Sequence, residues 1–196
     1  MATIEGKGVV SPRPISIAIE SSEMRFLARI AKDRDAHRGY RQSRSAWQQG
    51  STADPILMGL VGEYAFQKFL RSRGARATVV DDSLNSGDGG IDATVYGVSY
   101  QIKTSAKSYG TCLVRRVSES KRIVPHVCDR FVFCRWGYGE RHCDLRGWCE
   151  KKTVIELGKF CKGKRGRWFN NEIEDIHFSS MANLALLVQQ EARNGK

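Results

Sequence analysis

The chain has 196 residues, of which 27% are charged and 41% are hydrophobic, a composition typical of one globular domain of ordinary size. Its formal net charge is +11 and its pI is about 9.6. This excess of positive charge predicts a polyanionic partner, most often nucleic acid and sometimes an anionic membrane surface. A basic surface without such a partner is the alternative.

No segment of the sequence has the character of a membrane span or of a secretory signal. The longest apolar run, residues 56–66, is interrupted by Glu63 and is too short to cross a bilayer. Residues 1–10 lack the apolar core of a signal peptide. We therefore expect a cytoplasmic protein that does not contact a membrane.

Six cysteines lie between Cys112 and Cys161, and we expect them to be free thiols in a reducing compartment. Cys128 and Cys134 are six residues apart, as are Cys143 and Cys149, and no CxxC pair is present. Even spacing on a strand would place each pair on one face as small buried hydrophobes. Zinc, which needs a closer set of ligands, is not expected.

In chain order, the first predicted elements are a strand and two helices. Isoleucines at positions 15, 17 and 19 alternate with small residues, which predicts a strand, and a helix follows from about Ser22 into a polar stretch, residues 32–44. The second helix has Asp54 as N-cap, Pro55 at its first position and Gly74 at its end. Its apolar residues surround most of its circumference, so we expect burial on several sides.

The rest of the chain reads mainly as strands. They are predicted at residues 75–80, 91–95, 98–104, 112–117 and 129–135, followed by a basic loop over 159–167 and a last helix capped by Ser179 or Ser180. This order predicts an α/β or α+β fold with a central mixed sheet flanked by helices. We expect one domain over 1–196, with an N-terminal extension (1–50), a core (54–105) and a remainder (106–196).

Residues 89–105, "GGIDATVYGVSYQIKTS", place a carboxylate, an amide and an ammonium on neighbouring predicted strands. Alternation puts Gln101 and Lys103 on the strand face opposite Ile102. If Tyr96 and Gly97 form a two-residue loop, Asp92 faces Gln101; a three-residue loop would shift this register by one.

These residue types suit phosphodiester hydrolysis assisted by a hard divalent cation, for which magnesium is the expected ion and manganese the alternative. Asp92 offers a carboxylate, Gln101 an amide oxygen and Ile102 a backbone carbonyl. Lys103 can orient the attacking water or stabilise negative charge in the transition state. A solvated hairpin face is the alternative interpretation.

The pattern resembles the PD-(D/E)XK nuclease superfamily in its Mrr-like and resolvase-like variant, with glutamine in place of the acid before the lysine. "GDGGIDA" and "YQIKTS" carry the resemblance, together with "GLVGEYAFQKFL" at residues 59–70, which looks like the first core helix of that family. It spans residues 55–105, about a quarter of the chain. The resemblance implies a restriction-endonuclease-like core, a Mg²⁺-dependent deoxyribonuclease activity, and Glu63 as a further site residue beside Asp92, Gln101 and Lys103.

Two positions leave the metal site open to interpretation. Glu63 has mostly apolar or small helical neighbours, so a buried partner is expected, either the cation or an arginine. Gln101 removes one negative ligand, for which Glu63 or Asp88 could compensate, although Asp88 also suits a plain turn.

Basic residues follow the motif in two groups that we assign to phosphate contacts. The candidates for nucleic-acid binding are Lys107, Arg115, Arg116, Lys121, Arg122, Lys164, Arg165 and Arg167. The sequence "GKRGRW" predicts a loop that orders on DNA, with a solvated loop as the alternative. No helix-turn-helix is evident.

The leading hypothesis is thus a DNA endonuclease, acting on foreign DNA or on branched junctions and forming a homodimer that cuts both strands. A catalytically silent nucleic-acid-binding module on the same scaffold is the alternative. A protein that binds RNA is a third, weaker hypothesis.

Overall fold

The computed structural model describes residues 11–37, 55–75, 91–106, 111–117, 127–162 and 169–194. Within these ranges the protein has an α/β architecture, with four α-helices, a mixed five-stranded sheet and a three-stranded antiparallel sheet. The α/β class and the central mixed sheet predicted from the sequence are confirmed. The predicted strand at 75–80 lies outside the described residues apart from Ala75.

The helix α2 (Pro55–Ser72) ends, and the helix α4 (Met181–Asn194) begins, where the sequence provides suitable residues. Gly74, with φ of 74°, follows α2 in the left-handed conformation that glycine adopts readily. Ser180 caps α4, because its Oγ accepts a hydrogen bond from the Asn183 N–H at 3.2 Å. The first helix ends at His37, within the polar stretch into which it was predicted to run. The four helices are α1 (Ser21–His37), α2 (Pro55–Ser72), α3 (Lys151–Leu157) and α4 (Met181–Asn194).

The five-stranded sheet has the order β1-β6-β5-β3-β2. Its strands are β1 (Ile15–Ala18), β2 (Ala93–Val95), β3 (Val98–Ser105), β5 (Arg130–Arg135) and β6 (His142–Glu150). β3 and β5 are parallel, and the other neighbours are antiparallel. β2, the last strand at its edge, is only three residues long and pairs with the first part of β3.

The smaller sheet has the order β4-β8-β7, formed by β4 (Thr111–Val117), β8 (Phe169–Glu174) and β7 (Lys159–Lys162). The sequence predicted a basic loop over 159–167, and this is wrong for its first four residues. They form β7 because the backbone pairs with β8, as at Phe160 opposite Asn171. Residues 163–167 of that loop lie outside the described residues.

Two hydrophobic cores lie on opposite faces of the larger sheet. The first core joins that sheet to α1, α2 and α4, with Phe66, Tyr100 and Val132 among its residues. The second joins Phe131 and Phe133 to the smaller sheet and α3. Because Phe131, Val132 and Phe133 alternate between the two cores, β5 is buried on both faces.

A β-bulge in β6 changes which face its residues occupy. Phe133 pairs with Gly147 and Cys134 pairs with Leu145, so Arg146 is an extra residue in β6. Cys143 before the bulge lies in the first core, whereas Cys149 after it lies in the second. The prediction that these two cysteines share a face is therefore wrong, although both are buried as expected.

The same correction applies to the other cysteine pair. Cys128 lies in the second core and Cys134 in the first. Cys128 precedes β5 and a bend occurs at Asp129, so the alternation of the strand does not extend back to it. Both are buried free thiols. Cys112 and Cys161 fall in β4 and β7, and their side chains are not described.

A partly buried ion pair attaches α4 to the sheet. The guanidinium of Arg130 donates to Glu191 at 2.6 Å and to the Tyr100 hydroxyl at 2.8 Å. Burial raises the pKa of Tyr100 to about 12. Burial lowers the pKa of Arg130, but the hydrogen bonds to Glu191 and Tyr100 outweigh it and raise that pKa. Arg130 therefore stays charged and fixes α4 against β3 and β5.

Candidate metal-dependent hydrolytic site

The hairpin of β2 and β3 has the register predicted with a two-residue loop. Tyr96 and Gly97 have φ values of 48° and 83°, the positive values that a type I′ turn requires at both central residues. Val95 pairs with Val98 and Ala93 pairs with Tyr100. One step further, the Asp92 N–H donates to the Tyr100 carbonyl at 2.8 Å. This register carries Asp92 to the level of Gln101.

The Asp92 carboxylate lies on the backbone edge of β3. Its Oδ2 accepts a hydrogen bond from the Ile102 N–H at 2.6 Å. In a strand, the N–H and C=O groups of one residue point to the same side, so the Ile102 carbonyl lies on this edge as well. Two of the predicted metal ligands, the Asp92 carboxylate and the Ile102 carbonyl, therefore share the edge of one strand.

Gln101 and Lys103 lie on the face of β3 that points toward the second core. In the parallel register with β5, Gln101 pairs with Phe131 and Lys103 pairs with Phe133, two residues of that core. Ile102 is buried in the first core on the other face. The prediction that Gln101 and Lys103 lie on the strand face opposite Ile102 is thus confirmed.

The charges of Lys103 and Asp92 both act on the thiol of Cys128. Burial raises the pKa of Cys128 to about 11; the positive charge of Lys103 acts in the opposite direction, and the negative charge of Asp92 adds to the increase. Both charges act on one fully buried sulfur atom. Asp92 and Lys103, eleven residues apart in the sequence, therefore both lie within electrostatic range of Cys128.

Glu63 lies on α2, the helix that covers the opposite face of β3. A Cβ atom placed on Gly62 would be 1.9 Å from Thr104 Oγ1 and 3.4 Å from Ile102 Cγ2, so the helix backbone lies directly on the strand at this point. Glu63 follows Gly62 and is partly exposed. The structure places Glu63 on the helix that packs against one face of β3, whereas Lys103 lies on the opposite face of that strand. Their convergence on one ion stays a prediction.

The predicted oxygen donors are of the chemical type that magnesium prefers. Glu63 and Asp92 are carboxylates, while Gln101 and Ile102 offer an amide oxygen and a backbone carbonyl, all of them the hard ligands that Mg²⁺ prefers. Among the described residues, no cluster of three or more His, Cys, Asp or Glu side chains is present. Mg²⁺ sites commonly use one or two carboxylates, with water and substrate phosphate completing the coordination.

Asp129 fixes the start of β3 against β5. Its Oδ2 accepts hydrogen bonds from the Ser99 hydroxyl at 2.6 Å and the Ser99 N–H at 2.9 Å. These two hydrogen bonds, the hydroxyl first, hold the pKa of Asp129 below its ordinary value. The carboxylate therefore stabilises the strand that carries Gln101 and Lys103.

Lys151 is a basic residue of this region that the sequence did not reveal. Its charge acts on the Cys128 thiol together with that of Lys103, and its N–H donates to the Asp129 carbonyl at 2.9 Å. It belongs to no motif and follows β6 at the start of α3. Only the long-range pairing of β5 with β6 places it here, so no local signal could have identified it.

Most residues predicted to bind nucleic acid cannot be placed relative to this site. Arg115 and Arg116 lie in β4, and their side chains are not described. The six others lie outside the described residues: Lys107, Lys121, Arg122, Lys164, Arg165 and Arg167. Asp88 also lies outside them.

Comparison of the chain with protein families, with curated proteins and with solved structures found no match. None of the helices in the described part of the chain combines the length and the hydropathy of a membrane-spanning segment. The functional interpretation of the site therefore rests on its own residues.

Proposed function

We propose that the protein is a Mg²⁺-dependent endonuclease that hydrolyses DNA phosphodiester bonds, built on a PD-(D/E)XK core in which Gln101 replaces the usual acid. The observation that carries the proposal is the hydrogen bond from the Ile102 N–H to Asp92 at 2.6 Å. It holds a carboxylate at the edge of the strand that also presents Gln101 and Lys103. The net charge of +11 supports a polyanionic substrate.

Each residue has a separate task in this proposal. Asp92, Gln101, the Ile102 carbonyl and Glu63 would hold the cation. When bound, the cation supplies a water of lowered pKa and neutralises charge on the phosphate. Lys103, on the same strand face as Gln101, would orient the attacking water by donating to its oxygen, or donate to the phosphate oxygen on which charge develops.

The proposal includes a cytoplasmic location and a homodimer. Four described cysteines, Cys128, Cys134, Cys143 and Cys149, are free thiols, as is usual in a reducing compartment. A dimer would bring two sites to two strands. Restriction of foreign DNA and cleavage of branched junctions are both compatible with this site.

A catalytically silent DNA-binding module is the second candidate function. The observation that favours it is the small number of acids: only Glu63 and Asp92 among the proposed ligands carry negative charge. A site with fewer charged ligands binds a divalent cation more weakly.

A cleavage assay separates the two functions. Supercoiled plasmid and a four-way junction would be incubated with the protein in Mg²⁺ or Mn²⁺, beside Lys103→Ala and the matched control Lys32→Ala, which removes an exposed lysine from α1. We expect the wild type and Lys32→Ala to cut and Lys103→Ala to lose at least about a hundredfold in rate.

Each other outcome has a definite meaning. Binding without cutting by the wild type in either metal would support the silent module. Equal cutting by all three proteins would refute the role of Lys103. Competition of labelled DNA by unlabelled RNA would reveal a preference for RNA instead.

A further inference from the structure

A cleft of about 350 Å³ lies between the end of α2, the tip of the β2–β3 hairpin and the last turns of α4. Its volume is within the range of about 300–1,000 Å³ that is usual for ligand sites. Its lining includes two arginines, a tyrosine and an amide, namely Arg73, Arg193, Tyr96 and Gln189, over an apolar floor of Val188 and Ala192. None of the described residues that line the cleft is acidic.

Tyr96 occupies a backbone conformation that disfavours its residue type. Its φ of 48° is the only positive value among the described non-glycine residues. The first central position of a type I′ turn favours asparagine, aspartate or glycine, which adopt this conformation more readily. The Tyr96 ring is nevertheless 41% exposed, so core packing does not account for its presence. Such outliers point to a binding role for the side chain.

The groups around the cleft match a ligand with a planar ring and a negative charge. The guanidinium of Arg73 stacks over the Phe69 ring at 5.8 Å, which restricts its position at the end of α2. Arg193 adds a second positive charge from the last turn of α4. An exposed aromatic ring that lines the same cleft as two arginines suits the stacking of an unpaired base and the binding of its phosphates.

The cleft lies close enough to the candidate site to act on the same substrate. Tyr96 is four residues from Asp92, and a strand rises about 3.3 Å per residue, so the two are about 13 Å apart along the hairpin. This is a distance of a few nucleotides along one strand.

We propose that this cleft binds a single-stranded segment of the nucleic-acid substrate, with a base stacked on Tyr96 and phosphates on Arg73 and Arg193. The inference rests on the proposed function for the nature of the ligand. A paired base in intact duplex cannot present its face to the ring, so the cleft would select DNA with an unpaired strand, such as a flap, a fork or an open junction.

Binding can be measured without cleavage. The probe is a fluorescein-labelled oligothymidylate of about 16 nucleotides, the upper end of known site sizes, followed by anisotropy in EDTA. We expect Tyr96→Asn to bind it about tenfold more weakly and Tyr96→Phe to bind it as the wild type does. Arg73→Ala and Arg193→Ala should each weaken binding. Each should also reduce by about one the number of ions released on binding, as obtained from the slope of log K against log salt concentration.

Tyr96→Asn also controls for loss of folding. Asparagine suits the turn better than tyrosine, so urea unfolding should show equal or greater stability. Tyr138→Asn is the matched control, since Tyr138 is 62% exposed at another turn, and it should bind normally. Affinity for a blunt duplex should be unchanged in Tyr96→Asn.

Unchanged oligothymidylate binding by Tyr96→Asn would overturn the inference, as would an equal loss of binding to the blunt duplex. Neither result would bear on the proposed activity, which is tested by metal-dependent cutting and Lys103→Ala. The opposite combination is also informative. If the wild type does not cut DNA, but Tyr96→Asn binds oligothymidylate more weakly than the wild type, the proposed activity is refuted and the proposed role of the cleft is supported.

Discussion

Gly62→Ala tests whether the contact of α2 with β3 positions Glu63. The added Cβ would lie 1.9 Å from Thr104 Oγ1 and must move about 1.5 Å to reach the 3.4 Å of ordinary contact. Rotation of the Thr104 hydroxyl does not remove the contact, because the Thr104 Cβ would still lie 3.2 Å from the added atom and β-branching restricts χ1. The helix must shift instead, and Glu63 moves with it.

The expected effects on stability and activity differ in size. Overpacking costs about 2 kcal/mol, and replacing a helical glycine by alanine returns about 1 kcal/mol, so the free energy of unfolding should fall by about 1 kcal/mol. A misplacement of about 1 Å in a catalytic group can reduce the rate about a hundredfold. We therefore expect a large loss of plasmid cleavage in a protein that is still folded, as checked by urea unfolding.

Two variants make this test specific. Gly59→Ala is the matched control, because its Cβ would lie 4.0 Å from Glu63 Oε1 and requires no movement; it should be stabilised by about 1 kcal/mol and remain active. Thr104→Ala removes the hydroxyl that obstructs Gly62→Ala, so the double variant should recover most of the lost activity. If Gly62→Ala were as active and as stable as Gly59→Ala, the positioning argument would be wrong.

Three further predictions concern the surrounding fold. Glu191→Gln should lower the free energy of unfolding by about 2 kcal/mol, because Arg130 loses a partly buried charged partner. Glu174→Gln, at an exposed ion pair, should change it by less than about 0.5 kcal/mol, and similar urea midpoints for the two variants would contradict this. In Asp129→Asn, the free energy of unfolding should fall less in acid than it does in the wild type. The ionised Asp129, whose pKa is lowered in the fold, stabilises the fold above about pH 4, and this contribution disappears as the pH falls through the folded-state pKa. The Cys128 thiol, with a pKa of about 11, should resist iodoacetamide at pH 8 unless the protein unfolds, and rapid native labelling, located by mass spectrometry, would refute its burial.

The sequence predicted the local features of this protein well. Pro55 and Gly74 bracket α2, and counting across Tyr96 and Gly97 gave the correct hairpin register. These features depend on residues within one helix or one turn, where glycine, proline and alternation act directly. The position of Asp92 beside β3 follows from that local register.

Features set by distant pairing were not predictable. The bulge at Arg146 depends on the alignment of β6 with β5, and it moved Cys149 to the other core. β7 forms because Lys159–Lys162 find a partner in β8. Lys151 lies near Cys128 only because β5 pairs with β6. The relation of Glu63 to Lys103 is of this kind too, since it depends on how a helix lies across a sheet.

The hydrogen bond between Asp92 and the Ile102 N–H also affects the choice of an inactive protein for crystallisation with DNA. Alanine at position 92 would remove a proposed metal ligand and also deprive a backbone donor of its acceptor, so the strand edge itself would be free to rearrange. Asparagine keeps an acceptor oxygen for that donor while discarding the charge. Asp92→Asn is therefore the variant in which an intact substrate could be trapped on an undisturbed surface.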